Sequence, residues 1–189
     1  KQEENFHLLE INLLLDREEN ERALAAANEA LSDYPDNIRI RYARAMLLDS
    51  LGKPGQAEDD LRQIIDQQPQ NAVALNALGY IITTRSDRYA EARDYIERAL
   101  TIDPGNPAIL DSMGWVLYKQ GQTEEALDYL SRAWEAYADP EVAAHLGEVL
   151  WKTGEREQAR IIWEEGFEQD PDHPILIETV ERLSGEQPL

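Results

Sequence analysis

Five alanines, Ala23, Ala57, Ala92, Ala126 and Ala159, fall at spacings of 34, 35, 34 and 33 residues. Each is followed four positions on by an apolar residue: Ala27, Leu61, Ile96, Leu130 and Trp163. Pro35, Pro69, Pro104 and Pro171 come twelve residues after four of these alanines, while the fourth unit has Ala138 there and Pro140 two residues later. A third column consists of Gly79, Gly114 and Gly147, preceded by Leu78, Met113 and Leu146. A period of this length marks a supersecondary unit that cannot bury its apolar face alone, so neighbouring units must stack.

Each unit contains two stretches of helical apolar periodicity joined by turn residues such as Gly52, Gly121 and Gly154, which take the left-handed conformation that ends helices. Asn106-Pro107 and Asp139-Pro140 place a capping side chain before a proline at the first helical position, where the missing N–H costs nothing. The extra residue of the 35-residue unit falls near Arg85 to Asp87, in the turn between its helices. No segment alternates with strand period. The expected fold is all-α: an α-α superhelix, or solenoid, of five helix-turn-helix repeats at 4–37, 38–71, 72–106, 107–139 and 140–173. A capping helix is expected over 174–184, and residues 1–189 are expected to form one domain.

Composition removes several functions. A net charge of −20 repels phosphate backbones, which are bound by clustered Lys and Arg. With no cysteine there is neither a disulfide scaffold nor a thiolate zinc site, a usage somewhat more expected outside the cytosol. No apolar run reaches the roughly 18 residues of a membrane helix. His7, His145 and His173 lack metal-ligand spacing, and neither a phosphate loop nor a nucleophile turn is present. Neighbouring acids such as Glu124 and Glu125 sit side by side on a helix rather than facing across a cleft. Catalysis, a cofactor and a metal are therefore not expected. Opening on Lys1, the sequence is expected to be a segment of a longer chain.

The motifs "LNALGYI", "LDSMGWVL" and "AAHLGEVL", each followed by its alanine, resemble tetratricopeptide repeats, and the resemblance runs over residues 4–173. The first two units depart from the pattern, with His7, Glu10 and Ile11, then Arg41, Arg44 and Ala45, in the signature columns. The run from Asp111 to Ala133, with "DPEVAAHLGEVLWKTGEREQA" and a tryptophan after it, resembles the C-terminal region of bacterial outer-membrane lipoproteins of this family. Some of these serve as adaptors for periplasmic carboxy-terminal processing proteases that act on cell-wall hydrolases. That resemblance implies a non-catalytic, protein-binding scaffold in the periplasm, tethered through a lipidated N-terminus that this sequence lacks. A processing protease and cell-wall hydrolases would be its partners. Two alternatives stay open: an assembly module self-associating through its apolar end repeat, "FHLLEINLLL", and a cytoplasmic co-chaperone.

Family members bind peptides on a concave face built from the first helix of each pair. By register, this face is expected to carry Asn12, Arg39, Tyr42, Met46, Asn76, Tyr80, Asp111, Trp115, Tyr118, Lys119, Trp151 and Lys152. Of its aromatics, Tyr80 and Trp115 are expected to be displayed as anchors, and Asn76 to pair with a peptide backbone. Three scattered cations do not make a carboxylate clamp. The second helices carry −4, −2, −2, −3 and −4, fifteen of the twenty net negative charges, and are expected to form a solvated convex face. Trp163 is expected in the core.

Overall fold

A computed structural model describes residues 2–185, with side chains from Asn5 onward; Lys1 and residues 186–189 of the expected 1–189 unit lie outside the described residues. The chain forms eleven helices and no strand among the described residues. They are α1 (Gln2–Leu15), α2 (Asn20–Asp33), α3 (Ile38–Ser50), α4 (Pro54–Gln67), α5 (Ala72–Arg85), α6 (Tyr89–Ile102), α7 (Pro107–Lys119), α8 (Thr123–Ala136), α9 (Pro140–Thr153), α10 (Arg156–Gln169) and α11 (Pro174–Ser184). Consecutive helices pair, the pairs stack in chain order, and α11 closes the array against α9 and α10.

Local chemistry sets the helix starts. Asn37, Asn71, Asn106 and Asp139 accept hydrogen bonds from the N–H groups of Ile40, Ala74, Ala108 and Glu141, so α3, α5, α7 and α9 each begin on a side-chain cap. Within units two, four and five, Gly52, Gly121 and Gly154 take positive φ at the turn between helices. In unit one the same place holds Glu18 at φ 59°, a conformation that costs a non-glycine residue about 1 kcal/mol.

The alanine and glycine columns explain each other. A Cβ on Gly79 would lie 2.5 Å from Ile96 Cγ1 and 2.9 Å from the Ala92 carbonyl; one on Gly114 would lie 2.5 Å from Leu130 Cγ and 3.0 Å from the Ala126 carbonyl. The glycines of α5 and α7 thus admit the backbone of their own second helices at the alanine, with the large residue four positions on filling the space beside it. All five column alanines have no exposed surface, and Trp163 is buried over Gly147.

Unit two keeps a small residue, the buried Ala45, in the glycine column but places charge in a neighbouring one. Arg41, Leu75 and Leu110 share a column, and opposite them stand Asp60, Tyr95 and Tyr129. Arg44 grips the buried Asp60 carboxylate with Nε and Nη2 at 2.7 and 2.6 Å, and Arg41 Nη1 adds a third bond at 3.2 Å. The acidic convex face is accordingly not all solvated. Asp60 is one exception, and Glu58 is the other, buried beneath Arg62 and Arg88.

Candidate functional site: a concave cleft across four repeats

The first helices α3, α5, α7 and α9 line a cleft of about 450 Å³, within the range of recognition pockets. Its walls are mainly apolar: Tyr42 and Met46 from α3, Ala72, Val73 and Ala77 from α5, Pro107 and Ala108 from α7, and Val142 from α9. Val73 at 57% exposure and Tyr137 at 63% stand at its edges. Asn76 lines the cleft, and its Oδ1 is buried without a hydrogen-bond partner among the described residues. An unmet buried acceptor carries a desolvation penalty, which an incoming donor removes.

Behind the cleft lies a buried polar cluster. His145 of α9 places Nδ1 3.0 Å from both carboxylate oxygens of Asp111 on α7. Burial by itself lowers the pKa of His145, but the Asp111 carboxylate outweighs it, with Glu141 and Glu148 adding to the effect, so the imidazole sits above its ordinary value. The ring stacks on Trp115 at 4.1 Å and 17°, and Lys119 Nζ lies 4.2 Å from the Trp115 centroid. Tyr80 donates its hydroxyl to Glu141. Burial, then the Glu141 charge, pushes that phenol above its usual range.

The twelve positions assigned by register divide in two. Tyr42, Met46, Asn76, Tyr80 and Asp111 meet in the cleft. Trp115 does not: it is 7% exposed, covered because His145 reaches across from the neighbouring repeat. Instead of being displayed beside Tyr80, it serves as the packing surface between α7 and α9. Tyr118 leans on Trp115 at 5.4 Å. Lys119 lies over the Trp115 and Tyr118 rings, and with Trp115 it borders a separate depression shared with Thr84 and Arg85. Trp151 rests on Trp163 at 5.3 Å, with Arg156 and Arg160 over its ring. Arg39 is exposed and donates to Asn5 Oδ1 at 3.3 Å, while Asn12 and Lys152 are exposed outside the cleft.

Register also missed residues. Tyr137 and Asp139 line the cleft because the junction between units four and five is extended rather than turned, with Tyr137 at φ −158° and ψ 114°. The signal for it was the proline missing from position 138 and displaced to Pro140. His145 was missed because it stands one position off the column of Asp111. Only the 33-residue step between Gly114 and Gly147 hints at that offset. Among the described residues no group of three or more His, Cys, Asp or Glu could hold a metal, and no helix is long and apolar enough to cross a membrane.

Two family models, both described as tetratricopeptide repeat, match residues 42–107 and 84–144, overlapping to span more than half of the chain. The chain belongs to the tetratricopeptide-repeat family. It is 45% identical over 180 residues to the TPR repeat-containing protein PA4667 of Pseudomonas aeruginosa, covering 95% of this chain and 30% of that protein. It is 25% identical over 158 residues to the protein O-mannosyl-transferase TMTC1 of Mus musculus, covering 81% of this chain and 17% of that protein. The chain therefore spans less than a third of the length of either curated relative. Among solved structures, TTC0263, a thermophilic TPR protein of Thermus thermophilus, superposes with a TM-score of 0.82 at 18% identity over 96% of this chain and 97% of that one. PilW, a type IV pilus biogenesis factor, superposes at 0.79 with 23% identity over 98% and 87% of the two chains. These two likenesses concern the fold. The tetratricopeptide-repeat array is a scaffold for protein interaction.

Proposed function

We propose that this array is a non-catalytic adaptor that holds an extended segment of a partner protein in the cleft between α3 and α9. The observation that carries this reading is Asn76, whose buried Oδ1 has no hydrogen-bond partner among the described residues in a cleft walled mainly by apolar and aromatic side chains. Such a wall supplies contact area, and an amide fixes the register of a peptide backbone. The scaffold is preformed, so ordering costs fall mainly on the partner. We further propose a periplasmic setting, with the chain as part of a lipid-tethered envelope protein that presents cell-wall hydrolases to a carboxy-terminal processing protease. The sequence resemblance of the region from Asp111 onward supports this finer assignment.

Affinity capture from envelope and cytosolic extracts tests it, using the native chain and Ala108→Trp. Ala108 is exposed on the cleft wall, so the indole fills the cleft without disturbing the core. A processing protease or wall hydrolase recovered by the native chain and lost by the variant is the expected result. Recovery of cytosolic chaperones alone overturns the envelope assignment, and equal recovery by both proteins overturns the cleft.

A second reading has one observation in its favour. Phe6, Leu9 and Leu13 on α1 are 75, 65 and 48% exposed, and their spacing places them along one helical face. Apolar stripes of this kind mark contact surfaces, here for end-to-end association of copies. Sedimentation velocity of the native chain and of Leu13→Glu separates the two: a native dimer that dissociates in the variant supports assembly, and a concentration-independent monomer removes it.

A further inference from the structure

Among the described residues, the charged groups lining the cleft are Asp111, Asp139 and Glu141, with no Lys or Arg. Arg39 donates to Asn5, Lys119 lies over the Trp115 ring, and Lys152 is exposed outside the lining. Asp111 is matched by His145, which also faces Glu141 from behind, while among the described residues no Lys or Arg stands beside the Asp139 and Glu141 carboxylates in the cleft lining. Each uses one oxygen locally, Oδ1 for the Glu141 N–H and Oε1 for the Tyr80 hydroxyl, so acceptor capacity remains on both.

Three of the donors at the cleft are engaged. Tyr80 donates to Glu141, Ser112 to the Ala108 carbonyl, and Asn106 to Asp103. The helix starts that open here are closed by their own caps, Asn71, Asn106 and Asp139, and α7 and α9 begin with prolines that have no N–H to offer. An anion would thus meet two carboxylates and few available donors, whereas a cation would meet open acceptors, including Asn76 Oδ1. The net charge of −20 draws the same kind of partner from a distance.

We propose that the segment taken by this cleft is basic, placing an apolar side chain against Val73, Ala108 and Val142 and an adjacent Lys or Arg against Asp139 and Glu141. This rests on the reading of the cleft as a segment-binding site, and it excludes capture of a free C-terminal carboxylate there. The partner is a protein that exposes an internal or N-terminal stretch of this character, whatever its larger fold.

A phage-displayed library of random dodecapeptides, panned on the native chain at low ionic strength, supplies probes without assuming the answer. Selected peptides are then synthesised with amidated C-termini. Their affinities are measured by calorimetry against the native chain, the charge-neutral block Ala108→Trp, and the double variant Asp139→Asn with Glu141→Gln. Asparagine caps a helix as well as aspartate does and glutamine still accepts from Tyr80, so the double variant removes charge alone. The expected result is that peptides blocked by Ala108→Trp pair an apolar residue with Lys or Arg. They should also lose about tenfold in affinity to the double variant, a loss that shrinks at high salt. Peptides blocked by Ala108→Trp that are acidic or neutral, or that bind the double variant unchanged, overturn the basic segment while leaving the cleft intact. If no selected peptide responds to Ala108→Trp, the cleft itself is not the binding site.

Discussion

His145 Nδ1 lies 3.0 Å from both oxygens of Asp111, across the gap between two repeats, in a site with almost no solvent. The pair joins α7 to α9 directly behind the cleft. The groups facing His145 are Asp111 and Trp115 from α7, Tyr80 from α5, and Glu141 and Glu148 from its own helix.

Stability should therefore fall on the alkaline side. Asp111 raises His145 above its ordinary value of 6.5 against the opposing effect of burial. A group with a raised folded pKa contributes stability that is complete below the unfolded value and lost as pH rises through the folded one. Urea midpoints of the native chain should decline above neutrality, and those of His145→Gln should lose that part of the decline. His145→Leu, which strands the buried Asp111 carboxylate, should cost about 3 kcal/mol. An NMR titration in which the His145 ring changes charge below 6.5 would refute the sign.

Trp115 and Ala108 should respond in opposite ways to substitution. Trp115→Ala opens a cavity between α7 and α9 and should destabilise by about 3 to 5 kcal/mol. Ala108→Trp should leave stability within about 0.5 kcal/mol and abolish ligand binding. Thermal melts followed by circular dichroism, paired with calorimetric binding, distinguish a core tryptophan from a displayed one.

Gly147→Ala should be the most damaging of the three glycine-column substitutions. A Cβ at Gly147 would fall on the Trp163 indole, a rigid group held by Trp151, whereas those at Gly79 and Gly114 would meet the more adaptable Ile96 and Leu130. The expected cost is about 3 kcal/mol, with Trp163→Leu restoring part of it in the double variant. Additivity of the two changes in urea denaturation would show that the contact is not shared.

Asp60→Ala should cost about 3 to 5 kcal/mol, because it strands Arg41 and Arg44 together. Arg41→Leu combined with Asp60→Tyr, the residue types that the next repeat holds in these columns as Leu75 and Tyr95, should recover part of the loss, since Arg44 keeps only its bond to Asn28. Chemical denaturation of the three proteins checks it. No recovery would mean that the charged contact of unit two does more than occupy the apolar column.

The all-helical solenoid was legible in the sequence because it follows from short-range chemistry repeated with a fixed period. Alanine opposite glycine sets how closely two helices approach, and Asn or Asp before a helix supplies its cap. Both effects act within a single unit, so the spacing of Ala23, Ala57, Ala92, Ala126 and Ala159 was enough to count the helix pairs. Half of the cleft was legible for the same reason: Tyr42, Asn76 and Tyr80 face inward on one side of their own helices.

What the sequence could not determine is which inward residues a neighbouring repeat covers. Tyr80 and Trp115 hold the same column, yet Tyr80 borders the cleft while Trp115 lies under His145. The choice is made by a side chain 30 residues further along, brought across by the shortened step to unit five. Burial of Trp115, the Asp111–His145 pair and the acceptor-rich lining around Asp139 all arise between repeats. There, charge and shape are set by superhelical packing rather than by the register of any one helix.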